Sequence, residues 1–215
     1  MLAALLSAAS LWLILTWPLP RHVRDGVPYA AHAPAGEVAR AMAPGDHLQL
    51  LYHFWLMRDM IAGSTPWFHN LYEFNTGDDA ERYRPGAYFA PFSLAFTLGD
   101  LVGGRALGWH LATGLSLWLA FWSSWLLACR YTSSERVAWV VAVLVTAFPY
   151  RWHNLMSGSP TGFGMAWTPL LMWGLDRAIR DGSWRGGLWA GLAMVGSAWA
   201  EKHVMFFNAM LIPAW

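Results

Sequence analysis

Charge is what this chain has least of. Asp, Glu, Lys and Arg make up 13% of its 215 residues, where soluble domains carry about a quarter. That shortage argues against a conventional soluble enzyme. The formal net charge is +1 and no basic cluster stands out, so nucleic acid is not an expected partner. A single cysteine, Cys129, excludes an internal disulfide. With no CxxC motif or Cys/His cluster, there is no zinc-site pattern either. Internal repeats and low-complexity tracts are also missing, which removes solenoids and propellers. Apolar side chains are plentiful: 56% of residues are hydrophobic and 16 are tryptophan. The expected fold is all-α, a polytopic transmembrane helical bundle with about five or six membrane helices.

That expectation comes from six runs free of Asp, Glu, Lys and Arg: 1–20, 106–129, 137–150, 152–175, 186–200 and 203–215. At about 1.5 Å per residue, roughly 20 residues cross a hydrocarbon core of about 30 Å. Runs 1–20, 106–129 and 152–175 are long enough alone. Runs 137–150 and 186–200 must recruit flanks, over 134–152 and 183–201, or cross a thinned bilayer. The last run stops inside an apolar stretch, so the chain reads as an N-terminal fragment. Residues 1–20 lack the positive start of a signal peptide, contain Trp12 and Trp17, and lie far from the cleavage-like Ala31-His32-Ala33. They read as an uncleaved first helix. Trp17, Trp109, Trp152 and Trp184 fall near proposed helix ends, where indole rings anchor at headgroups.

Block 86–99 is apolar but short, as interfacial and buried helices are. Keeping it out of the membrane places Arg130, Arg136, Arg177, Arg180 and Arg185 in the cytoplasm. Only Arg151 and Lys202 then remain outside, the arrangement that the positive-inside rule prefers. The expected organisation is a first transmembrane helix at 1–20, then an extracytoplasmic segment at 21–104. That segment carries juxtamembrane helices near 47–62 and 86–98. A transmembrane bundle follows at 105–215, truncated at its C-terminus. The N-terminus is cytoplasmic.

In the exported segment, Leu48, Leu51, Tyr52 and Trp55 form a one-faced helical stripe with Gln49, His53 and Arg58 off it. Ser64-Thr65-Pro66 stops the helix, which is suited to lie on a bilayer surface. Asp46 carries two readings. It is an N-cap with Gln49 at the capping-box position, and it is a carboxylate able to take a proton from a hydroxyl. Asp78 and Asp79 likewise read as a solvated Gly-Asp-Asp turn or as oxygen ligands for a divalent cation.

Taken in order, these features resemble the GT-C superfamily of membrane glycosyltransferases. An N-terminal span leads to Asp46 heading a surface helix. Tyr83-Arg84-Pro85-Gly86-Ala87-Tyr88-Phe89 opens a second juxtamembrane helix. The next span runs from Arg105 to Arg130, and the one after returns to Phe148-Pro149-Tyr150-Arg151-Trp152-His153-Asn154. The pattern covers roughly residues 1–180, and Gly45-Asp46, Asn70-Leu71-Tyr72 and Pro149-Tyr150-Arg151 look most like bacterial members. Two departures stand out. His47 follows Asp46 where many relatives have a second acid, and Arg84-Pro85-Gly86 replaces the frequent Lys-Pro-Pro. The resemblance implies a sugar transferase at the bacterial inner membrane, using a polyprenyl-phosphate-linked sugar and inverting by direct displacement. Its acceptor would be a glycan, lipid or protein hydroxyl.

Under that resemblance Asp46 is the catalytic base. His47, Arg151, His153, Asn154, Glu201, Lys202 and His203 border the substrate cavity, with Arg151 or Lys202 neutralising the lipid phosphate. Ionisable groups at membrane depth mark sites or pathways. Arg151 and Lys202 read equally as cations snorkelling to headgroups, His153 as an interfacial histidine, and Glu201-Lys202 as an ion pair at a helix end. A transporter lined by the same residues, with a helix break at Gly158-Ser159-Pro160, and a noncatalytic envelope-assembly protein are the competing functions.

Overall fold

The computed structural model describes residues 2–28, 47–72, 82–83 and 88–215. Among them every regular element is helical, and the sole β-type pairing is an isolated bridge between His69 and Tyr83. The helices are α1 (Leu2–Leu15), α2 (His47–Ile61), α3 (Phe92–Ala128), α4 (Glu135–Thr146) and α5 (Pro149–Met156). They continue as α6 (Pro160–Gly164), α7 (Thr168–Arg180), α8 (Trp184–Ala200) and α9 (Lys202–Leu211). Among the described residues only α3 is long and apolar enough to cross a membrane. Five or six helices of that length were expected, and the rest fall short of it.

Within α3, Gly103 and Gly104 leave helical geometry, Gly104 at φ 87°, a left-handed angle that glycine adopts without a Cβ clash. The chain doubles back there. A Cβ on Gly99 would stand 2.6 Å from the Cα of Gly108, and one on Gly108 would stand 2.7 Å from the Phe96 carbonyl oxygen. In one straight helix, residues nine apart sit about 13 Å from each other. An arm at 92–102 therefore lies against an arm at 105–128. The first rises about 16 Å and the second about 36 Å, so only the second matches a hydrocarbon core. The short helix expected at 86–98 starts at Phe92 and leans on its neighbour through paired glycines.

The run 152–175, expected to cross unaided, is instead broken between α5, α6 and α7. Gly158 takes φ 71°, and Pro160 cannot donate to a continuing helix. Counting charges alone ignores both residues. The flanks expected for the shorter runs fare unequally. Helix α4 starts where Ser134 accepts the Val137 N–H at 3.4 Å, but it stops at Thr146. Helix α8 is capped by Ser183, which accepts the Gly186 N–H at 3.3 Å, and it ends at Glu201, whose backbone is extended.

An aromatic core joins these pieces. Buried Phe54 of α2 meets Phe96 at 5.6 Å, Phe163 at 5.6 Å and Trp109 at 6.0 Å between ring centroids. Phe92 meets Phe163 at 5.3 Å. The α2 helix is thereby fixed to both arms of α3 and to α6. Elsewhere, glycines bring α7 and α8 together: a Cβ on Gly174 would lie 2.6 Å from the Ala190 backbone N. Gly174→Ala should cost about 1–3 kcal/mol by overpacking, read as a lower unfolding midpoint in detergent. Gly191→Ala, which meets open space, should be neutral or stabilising by up to about 1 kcal/mol.

The bundle has two chemically distinct ends. At one, the buried Asp176 carboxylate accepts from Arg130 Nε at 2.6 Å and from the Tyr131 hydroxyl at 2.7 Å, and pairs with Arg180 Nε at 3.1 Å. Arg130 also binds Asp181 at 2.6 Å. Helix α8 then runs from Arg185, beside this network, to Glu201 at the other end. Sixteen intervening steps amount to about 24 Å.

Candidate functional site

Glu201 stands between two cavities. The larger, about 1010 Å³, is walled by Met57 and Ile61 of α2, Trp67 and Phe68, Tyr88 to Ala90, Leu94, and the end of α8. Its polar groups are concentrated on Glu201, Lys202 and His203. The smaller, about 330 Å³, is lined by Gln49, Leu50, His53, Phe89, Ser159, Pro160, Thr161 and Glu201. Phe89 and Glu201 line both, so they form the partition.

Local structure holds each part. Residues 67–72 are tied to α2 by the Tyr72 hydroxyl donating to Asp59 Oδ2 at 2.8 Å and by Tyr52 donating to Asn70 at 2.5 Å. The Asp59 carboxylate, as acceptor of that bond, holds the Tyr72 phenol above its usual 10. Trp67 and Phe68 thereby form one wall of the large cavity. His53 packs edge-on against Phe89 at 5.4 Å, and its Nδ1–H donates to the Gln49 carbonyl at 2.8 Å. With Nδ1 occupied in this way, Nε2 is the ring nitrogen left for a further partner. At the α8–α9 junction, Glu201 Oε1 accepts from the His203 backbone N–H at 3.0 Å and from His203 Nδ1 at 2.8 Å. The Glu201 Oε2 atom has no partner among the described residues. Gly164 permits this approach, since a Cβ there would lie 3.1 Å from the Glu201 Cβ.

Of the residues singled out from sequence, Glu201, Lys202 and His203 meet at this partition. Arg151 is elsewhere. It is 2% exposed and spends its donors on the Thr146 carbonyl at 2.9 Å, the Ser116 carbonyl at 3.1 Å and Ser116 Oγ at 2.9 Å. It joins α5 to the long arm of α3. His153 lines a separate cavity of about 310 Å³ with Leu15, Thr16 and Trp152. Asn154 donates to the Tyr150 carbonyl of its own helix at 2.8 Å. Asp46, Asp78, Asp79 and the His47 side chain lie outside the described residues. Asp46 directly precedes α2 in the chain, and the first turn of α2 carries Gln49 and Leu50 of the small cavity. No group of three or more His, Cys, Asp or Glu poised for a metal occurs among the described residues.

The sequence pointed to Phe89 only as part of a helix start and to Ser159 only as part of a helix break. It pointed to Gln49 as a capping-box and off-stripe residue and to His53 as off the stripe, and it gave no sign of Thr161. The off-stripe position was itself a signal, because polar groups on a packed helix need a polar cavity or water. Scans of protein-family models, curated proteins and solved structures find no match to this chain.

Proposed function

We propose that this chain acts as a membrane glycosyltransferase, moving a sugar from a polyprenyl-phosphate donor to an acceptor hydroxyl on the extracytoplasmic side of a bacterial inner membrane. The observation that carries this reading is the pairing of a large, aromatic-walled cavity with a lone lysine, Lys202, at its polar edge. A prenyl chain fits the apolar walls, and its phosphate needs a cation. The volume reaches the top of the roughly 300–1,000 Å³ range of small-molecule sites.

In this reading the acceptor enters the small cavity, where His53 Nε2 and Glu201 Oε2 are available to its hydroxyls. The acceptor oxygen bonds to the anomeric carbon as the bond from that carbon to the phosphate oxygen breaks. The hydroxyl proton passes to Asp46 and the electron pair leaves with the lipid phosphate beside Lys202. Orientation follows from charge. The arginines at 130, 136, 177, 180 and 185 belong to the end away from Glu201, as cytoplasmic loops require. The arm at 105–128 then crosses, and the shorter helices complete a multi-pass bundle with a cytoplasmic N-terminus.

The test is transfer of radiolabelled sugar from undecaprenyl-phosphate sugars in proteoliposomes holding the whole chain. Wild type should transfer label, and Asp46→Asn should lose about a hundredfold or more. No transfer by wild type, together with an envelope phenotype that Asp46→Asn leaves intact, would favour a noncatalytic envelope-assembly role instead. One observation favours a transporter as the second reading: the interruption between α5, α6 and α7, since broken helices line transport sites. Counterflow of an unmodified sugar, without transfer, would select it.

A further inference from the structure

At the end of the bundle away from Glu201, a cavity of about 390 Å³ opens between the start of α1, the long arm of α3 and α4. Its walls are Phe121, Trp125 and Trp139, and its rim carries Glu135 and Arg136. Ala3 and Ala4 keep the α1 side open. The Trp139 indole is held in place: its N–H donates to Ser7 Oγ at 2.9 Å and its ring stands edge-on to Phe121 at 6.2 Å. Neither Glu135 nor Arg136 has an ion-pair partner among the described residues. Glu135 suits the start of a helix, but Arg136 does not, because a cation in the first turn opposes the helix dipole. An unpaired carboxylate and an unpaired guanidinium thus stand at neighbouring positions on the rim of a cavity walled by two indoles, of which Trp139 is held in place.

We propose that this cavity binds the headgroup of a phospholipid bearing a primary ammonium, of the phosphatidylethanolamine kind. The ammonium donates to the Glu135 carboxylate and rests on an indole face. The phosphate meets Arg136, whose planar fork suits phosphate oxygens. The acyl chains descend along Val140 and Leu144, one turn apart on α4 and 49% and 65% exposed. Charge pattern selects this occupant. A phosphatidylglycerol headgroup brings no cation to Glu135, and a phosphatidylcholine cation has no N–H to donate. The inference is independent of the transferase reading and needs only contact between chain and lipid.

Native mass spectrometry of the purified chain, titrated separately with phosphatidylethanolamine, phosphatidylglycerol and phosphatidylcholine, tests it. Wild type should hold phosphatidylethanolamine about tenfold more tightly than the other two, the scale of a charged hydrogen bond. Glu135→Gln should erase that preference, while Arg136→Gln should weaken all three lipids. Both side chains are exposed, so neither change threatens the fold. Equal retention of the three lipids by wild type, or a preference that survives Glu135→Gln, would overturn the proposal.

Discussion

Lys202→Gln is expected to lower sugar transfer from a polyprenyl-phosphate donor by about a hundredfold or more, the usual cost of removing one donor aimed at developing charge. In the proposed reaction the leaving phosphate gains charge as the glycosidic bond breaks, and Lys202 is the one Lys or Arg along the large cavity among the described residues. Arg151, the other cation considered from sequence, is buried and bonded to Ser116 and Thr146, and it does not line the large cavity. Because the missing interaction strengthens in the transition state, kcat should fall more than KM rises. Lys202→Arg keeps the charge and should retain part of the rate. If Lys202 only snorkels to headgroups, its replacement leaves turnover within a few-fold of wild type. His203 offers no substitute, since its ring is already bonded to Glu201.

The largest stability loss is expected from Asp176→Ala. The Asp176 side chain has no solvent exposure and holds Arg130, Tyr131 and Arg180 together. Its loss removes three polar contacts to a buried carboxylate, each worth up to about 1.5–3 kcal/mol. Arg130 and Arg180 are partly exposed, however, and Arg130 keeps Asp181, so the expected cost is about 3 kcal/mol after solvent screening. Against a total stability of about 5–15 kcal/mol, that loss should show as poor yield and a sharply lower unfolding midpoint. Tyr131→Phe removes a single neutral donor to the carboxylate and should cost about 1.5–3 kcal/mol. The Glu201 end, about 24 Å away along α8, shares no partner with this network. Any Asp176 variant that folds should therefore keep its kcat, since distant independent sites behave additively.

What the sequence disclosed follows from which interactions are local. The helix starts at Ser134 and Ser183 coincide with the flanks that the short charge-free runs had to recruit, and each serine caps an N–H three residues further on. The long arm of α3 was legible because 24 charge-free residues stand between Arg105 and Arg130. Run 152–175 misled because a charge count ignores Gly158 and Pro160, which end one helix and start the next. The fold-back at Gly103-Gly104 escaped notice although the glycine pair is visible, since its meaning rests on Gly99 meeting Gly108 in space. Arg151 was the hardest to read. Its charge suggests a ligand, but its role was decided by Ser116, 35 residues away in sequence. Glu201, Lys202 and His203 were easier, being consecutive residues between two apolar helices that any break would expose together.

The most direct test of a lipid-phosphate donor site beside Lys202 is photo-crosslinking in nanodiscs, comparing a diazirine-bearing undecaprenyl phosphate with the same undecaprenol lacking phosphate. The phosphate probe should label peptides containing Trp67-Phe68, Tyr88-Phe89 and Trp199 to His203, and labelling should drop about tenfold or more in Lys202→Gln, as loss of a charge-assisted contact requires. The prenol should not reproduce that pattern. Identical labelling by the two probes, spread over the exposed faces of α1 and α8 and indifferent to Lys202→Gln, would contradict a donor site there.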